Sequence, residues 1–182
     1  MEGAKTNDEK SSQRKGAFVI GGSSDFGEVI ATEFASAGYW VAISGFSKQR
    51  LDDVITRLQN VASAQKKYDR FLALEANFVV LNQVESLIDK VVNKFERLDV
   101  LVNNACYLGQ SLDLTDESFC KDFQGILWAN LIVAVRLAQL AAPHLISSQR
   151  SILLNVSSVS DENVNSSLAY RISKAGLSML TK

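Results

Sequence analysis

Ala17-Phe18-Val19-Ile20-Gly21-Gly22-Ser23-Ser24-Asp25-Phe26-Gly27, leading into a helical stretch that begins near Glu28, is the segment that decides the fold. A short apolar run, a glycine turn and a helix make the first half of a βα unit. Four further apolar runs follow, at Tyr39–Ile43, Phe71–Leu74, Leu98–Val102 and Ile152–Val156. All are continuous rather than alternating, the pattern of strands buried on both faces. Between them lie amphipathic stretches. Leu51, Val54, Ile55, Leu58 and Val61 share one helical face, and Val84, Leu87, Ile88, Val91, Val92 and Phe95 share another. Ser47 and Asn82 stand where N-caps are expected. A long helical segment runs from about Glu117 to Ala142, and a last one starts near Ser167. Strands alternating with helices predict an α/β fold, a Rossmann-like doubly wound parallel sheet. It occupies one domain over residues 16–182, behind a polar tail at residues 1–15.

The bulk composition narrows the partners. The chain has 182 residues, 47% hydrophobic and 21% charged, with a formal net charge of −1. That balance is ordinary for a globular protein and gives no basis for a nucleic-acid binder. Cys106 and Cys120 cannot form a disulfide framework, and with His144 as the one histidine no metal site is expected. The tail lacks the apolar core of a secretory signal and carries too many acids for a mitochondrial one. The longest apolar stretch, Leu131 to Ile146, is broken by Arg136, Gln139, Pro143 and His144, so no membrane span is expected. The cytoplasm is the expected compartment.

The glycine turn lets the backbone approach a pyrophosphate, which then rests on the helix N-terminus. Gly21, Ser23, Ser24, Phe26 and Gly27 are therefore candidate cofactor contacts, although the turn does not match G-x-G-x-x-G. The end of the second strand reads the ribose: an acid there binds a 2′-hydroxyl, a base a 2′-phosphate. Here it reads Ser44-Gly45-Phe46-Ser47-Lys48, with no carboxylate before Asp52. The missing acid favours NADP(H) over NAD(H) by a small margin, with Ser44 and Lys48 as phosphate contacts. Lys48 reads equally well as a solvated first-turn residue. Tyr170 and Lys174, four apart on the last helix, share a face. A tyrosine titrates near about 10, too high for neutral acid–base work, and a neighbouring ammonium lowers that value by favouring the phenolate. Ser158, after the fifth strand, would hydrogen-bond a small carbonyl or alcohol substrate.

Taken together, these motifs resemble the short-chain dehydrogenase/reductase family. The resemblance rests on the glycine turn, Leu98-Asp99-Val100-Leu101-Val102-Asn103-Asn104-Ala105, Trp128-Ala129-Asn130-Leu131, Asn155-Val156-Ser157-Ser158 and Tyr170-Arg171-Ile172-Ser173-Lys174-Ala175. It implies an oxidoreductase that interconverts carbonyls and alcohols with NAD(P). Tyr170 would be the general acid/base. Lys174 would lower its pKa and hold the nicotinamide ribose, and both residues would touch the cofactor. Ser158 would polarise the carbonyl, and Asn130 would anchor a relay water. Asn103 and Ala105 would line the adenosine side, with Asn77 meeting adenine. The long helix and the last helix imply a homo-oligomer.

Several residues depart from the family pattern. Ile20 replaces a threonine whose hydroxyl ties the turn to the fourth-strand motif. Asp25 replaces a glycine; a carboxylate about 5 Å from a phosphate charge costs roughly 3 kcal/mol at an effective dielectric of about 20, unless the side chain turns to solvent. Asn77 replaces an acid, and Cys106, expected as a small buried thiol, replaces a glycine. The spacing from Ser158 to Tyr170 is one residue short; strand position selects Ser158 over Ser157. Asp161 and Glu162 are expected to face solvent. Family members run on for roughly another 60–80 residues, in keeping with a whole α/β domain. The chain is thus expected to lack the last strands and to expose the fifth as an edge. Two readings follow: an active oxidoreductase, or a non-catalytic module that binds cofactor or dimerises.

Overall fold

A computed structural model of the chain describes residues 15–61, 68–110, 114–158 and 167–182. Residues 1–14 of the polar tail and the Asp161–Glu162 loop therefore lie outside the described residues. The strands are β1 (Gly16–Ile20), β2 (Trp40–Gly45), β3 (Phe71–Glu75), β4 (Val100–Asn103) and β5 (Ile152–Asn155). They form one parallel sheet in the order β3-β2-β1-β4-β5. The helices are α1 (Asp25–Ser36), α2 (Lys48–Val61), α3 (Leu81–Phe95), α4 (Phe119–Leu127), α5 (Val133–Ser147) and α6 (Leu168–Leu180). A π-turn over Trp128–Ile132 joins α4 to α5. The doubly wound Rossmann-like sheet is as expected from the alternation of runs.

Strand alternation divides the core into two layers. Ala17, Val19, Val41, Ile43, Val100 and Val102 meet Ala31 and Ala35 of α1 and Leu51, Val54 and Leu58 of α2. Phe18, Ile20, Ala42 and Leu101 meet the α3 stripe Val84, Leu87, Ile88, Val91 and Phe95, together with Val133, Leu137, Ala141 and Leu145 of α5. Each fully buried Leu or Phe side chain contributes about 1.5–3 kcal/mol by leaving water. A carboxylate ties the layers together at the foot of the sheet. Asp99 accepts from the Gly16 backbone N–H at 2.7 Å, from Arg97 at 2.6 and 2.8 Å and from Ser148 Oγ at 2.6 Å.

The fifth strand departs from expectation. It is an edge, as anticipated, but it is not buried on both faces: Ile152 and Leu154 are 51% and 40% exposed. They lie in register with Val100 and Val102, on the α1–α2 side, where those helices cover β1 to β3 rather than β5. Two helix starts also differ. α1 begins at Asp25 rather than near Glu28, because Ser24 caps it. Ser47 does cap α2, accepting from Arg50 N at 3.3 Å, but Asn82 lies inside α3, which starts at Leu81. There the start is organised upstream: Asn77 N donates to Gln83 Oε1 at 2.7 Å, and Asn77 Oδ1 accepts from Val79 N at 3.1 Å. By length and composition alone, the continuous helical segment Phe119–Ser147 could cross a membrane. Several of its residues between Ile126 and Leu145 are buried within this fold, and a third of its most apolar window is buried.

Candidate functional site

The turn after β1 is held by side chains at the C-terminal ends of β1 and β4. Gly21 adopts φ +71, and a Cβ there would meet Ala105 Cα at 2.8 Å. A Cβ on Gly27 would meet the Gly21 carbonyl at 2.2 Å, so α1 crosses the turn at glycine-only distance. Ser24 Oγ donates to Gly21 O at 2.8 Å and accepts from Gly27 N at 3.1 Å. Asn104 Nδ2 donates to Gly21 O at 3.0 Å and to Ser24 Oγ at 3.1 Å. The tie lost with the threonine at position 20 is thus supplied by the amide of Asn104, a residue that sequence reasoning passed over in favour of Asn103.

Above this turn, over the ends of β1, β2 and β4, opens a cavity of about 770 Å³. Of the expected cofactor contacts, Gly21, Ser23, Ser24, Phe26, Asn77 and Ala105 line it. Gly27 lies beneath, packed against the turn. Phe46 and Phe78, edge-to-face at 5.2 Å, add an apolar wall, and Arg50 is the charged residue among the described lining. Neither the phenylalanines nor Arg50 was singled out in the sequence. Arg50 lies beyond the end of the second strand, and helical geometry brings it back to the mouth.

Three expected contacts lie elsewhere. Ser44 is fully buried within the sheet, its hydroxyl without a partner, so it cannot reach a ligand in this cavity. Lys48 is paired with Asp52 at 2.8 Å and does not line the cavity, in line with its reading as a first-turn surface residue. Asn103 is 5% exposed and donates across the sheet to Asn155 Oδ1 at 2.8 Å, leaving its own Oδ1 unpaired. Strand alternation explains this: its side chain points from β4 into the α5 side, whereas Asn104 has already left the strand. Cys106 is exposed and lines the cavity rather than being a buried thiol. The Asp25 side chain is fully exposed, with Oδ1 3.4 Å from Arg50 Nη2, so it takes the solvent-facing alternative.

On the other side of β4, the acid–base candidates gather around α6. Lys174 is 2% exposed; its Nζ donates to the Val156 carbonyl at 2.8 Å and lies 5.7 Å from the ring centre of Tyr170. Burial pushes the Lys174 ammonium below the ordinary lysine value, and negative charge on Cys106 would oppose that. Among the described residues no carboxylate forms an ion pair with it. Ser157 Oγ is bonded to Lys174 O at 3.2 Å and to Ser178 Oγ at 2.7 Å, which pins α6 to the end of β5.

Asn130 sits 2% exposed in the π-turn, a break in helix geometry that often marks a functional position. Its side chain is occupied on both ends. Oδ1 accepts from Tyr107 N at 2.7 Å, and Nδ2 donates to Tyr107 O at 2.9 Å and to Ser173 Oγ at 3.1 Å. The side chain therefore clamps the segment after β4 to the π-turn and to α6. Ser158, Tyr170 and Lys174 are not among the described residues lining the cavity, which include Cys106, Tyr107, Gly125 and Ala129.

Comparison with known proteins agrees with this layout. Residues 15–182 match the family model described as short chain dehydrogenase. The 3-oxoacyl-(acyl-carrier-protein) reductase FabG of Staphylococcus aureus is 32% identical over 92% of this chain and 66% of its own length. The reductase of the same name from Thermotoga maritima is 28% identical over 92% of the chain and 65% of its length. Among solved structures, a Caenorhabditis elegans short-chain dehydrogenase/reductase of unknown function with cofactor is similar at TM-score 0.80 and 27% identity, over 92% of this chain and 62% of that one. A 7α-hydroxysteroid dehydrogenase complexed with NADH and 7-oxo glycochenodeoxycholic acid is similar at TM-score 0.81 and 25% identity, over 97% and 66%. The chain thus spans just under two thirds of the length of these relatives.

Proposed function

The chain belongs to the short chain dehydrogenase family, and on that premise we propose that it binds NAD(P) and carries the acid–base group of a carbonyl reductase or alcohol dehydrogenase. The single observation that carries this reading is Lys174. A buried ammonium that pairs with no carboxylate among the described residues costs stability, so its retention beside Tyr170 calls for a use.

The cavity fits the cofactor. Its volume of about 770 Å³ lies within the usual range for small-molecule sites, on the order of 300–1,000 Å³. It opens beside the capped N-terminus of α1, which favours a phosphate, and no carboxylate lines it among the described residues. Gly21, Ser23, Ser24 and Phe26 would hold the phosphates, and Phe46, Phe78, Ala105 and the Asn77 amide the adenosine. Arg50, rather than Ser44 or Lys48, is the group suited to a 2′-phosphate, and on that ground NADP(H) is preferred to NAD(H). When bound, the nicotinamide supplies or accepts the hydride. In the reductive direction Tyr170 gives its proton to the substrate oxygen, Ser158 hydrogen-bonds that oxygen, and Lys174 favours the resulting phenolate. Asn130 holds the Tyr107 backbone in place and acts as a positioning residue. The substrate is a small carbonyl or alcohol. A homo-oligomer through α4–α5 and α6 is supported by exposed Ile132, Val135, Leu168 and Ile172. Residues 16–182 are read as one domain and the cytoplasm as its compartment.

The test is a titration of the chain with NADPH and NADH by cofactor fluorescence, followed by a panel of small ketones. Saturable binding and carbonyl reduction abolished by Tyr170→Phe, with binding retained, are the expected results. Absence of binding at millimolar cofactor overturns the reading. Binding without turnover selects the second reading, a cofactor-binding module, which is favoured by one observation: Ser158, Tyr170 and Lys174 are not among the described residues that line the cavity.

A further inference from the structure

We propose that Asp25 governs recognition of a 2′-phosphorylated adenosine by competing for Arg50. The inference rests on the dinucleotide reading given above. Arg50 is the charged side chain among the described residues that line the cavity, and Ser23 and Ser47 line the same mouth. Its guanidinium is the group best matched to a phosphate there, because its planar fork donates equally well to a carboxylate or a phosphate. In this structure the fork is turned to Asp25, 3.4 Å away, across the gap between α1 and α2.

The other cations near that gap are more closely held. Lys48 lies 2.8 Å from Asp52, and Arg57 contacts Glu28 through both Nε and Nη2. The Asp25–Arg50 pair is the long one, and both side chains are exposed, at 101% and 63%. An exposed pair of that kind is weak and screened by salt, so a dianion entering the mouth can take its place. Asp25 is also the first residue of α1, where the helix dipole favours its charge. The carboxylate is thus retained without crowding the turn, yet each phosphate that reaches Arg50 has first to displace it. On this view Asp25 acts through Arg50 on one end of the ligand, rather than by repelling the pyrophosphate.

The experiment compares 2′,5′-ADP, which carries the 2′-phosphate, with 5′-ADP, which lacks it. Both are titrated calorimetrically against the wild-type chain, Asp25→Asn, Arg50→Gln and the double variant, at low and high salt. Asp25→Asn is expected to tighten 2′,5′-ADP by about three- to fivefold at low salt, the range an exposed ion pair can supply. It should change 5′-ADP less than about twofold, and the gain should vanish in the Arg50→Gln background and at high salt. Equal tightening of both probes, or a gain that survives without Arg50, overturns the competition. So does unchanged 2′,5′-ADP affinity in Asp25→Asn. If neither probe binds the wild-type chain, the dinucleotide reading itself has failed, and the inference falls with it.

Discussion

Gly27 has no room for a side chain: a Cβ there would stand 2.2 Å from the Gly21 carbonyl and 2.8 Å from Asn104 Nδ2. The first atom is backbone and cannot swing away, so Gly27→Ala has to move the turn. We expect it to destabilise the chain by about 1–3 kcal/mol, the usual cost of overpacking, as read by urea unfolding. At the other end of the sheet, Asp99 is 1% exposed. Burial opposes its charge, but hydrogen bonds from Arg97, Ser148 and the Gly16 N–H outweigh that and hold the carboxyl below its usual range. A depressed carboxyl contributes stability that is full above the unfolded value, near about 3.9, and is lost as pH falls through the folded one. Asp99→Asn should therefore cost about 2–3 kcal/mol at neutral pH, typical of hydrogen bonds to a charged group. Its stability should also decline less between about pH 4 and the acid limit than the wild type's, and parallel acid titrations of the two proteins check this.

The π-turn and the segment after β4 work as one element. Asn130 takes both polar backbone groups of Tyr107, which itself lines the cavity. Asn130→Ala strands a donor and an acceptor, each worth about 1–3 kcal/mol when left unsatisfied and buried, less where water can reach. Hydrogen exchange should report it directly, with the Tyr107 amide losing protection while amides of β1 keep theirs. If Tyr107 exchanges as slowly in the variant, the clamp is not what holds this segment. The element was half legible in the sequence. The Trp128-Ala129-Asn130-Leu131 stretch is a local motif, but Asn130 meets Tyr107, 23 residues away, and no local pattern encodes that contact.

Across the whole molecule, the sheet is evenly covered except at β5. Ile152 and Leu154 stand half exposed on the α1–α2 side, and β4 is the strand that β5 pairs with. An exposed apolar edge invites pairing with another chain. Ile152→Lys combined with Leu154→Lys should lower concentration-dependent association in sedimentation velocity without altering secondary structure. Equal association of the two proteins would show that this edge takes no part in it.

The sequence by itself determined the alternation of strands and helices, the doubly wound class and the family. These rest on short-range signals: apolar runs, a glycine turn, and motifs whose residues are neighbours along the chain. It also put forward Tyr170 and Lys174 as the acid–base candidates, because their position after the fifth strand was readable. Tertiary structure decided what each side chain meets. It buried Ser44 and Asn103 in the sheet, since side-chain direction alternates and one residue's shift exchanges cavity for core. It exchanged Asn104 for the missing threonine, turned Asp25 toward Arg50, and exposed Cys106. Those outcomes depend on distances between elements far apart in the chain, which packing sets and local sequence does not record.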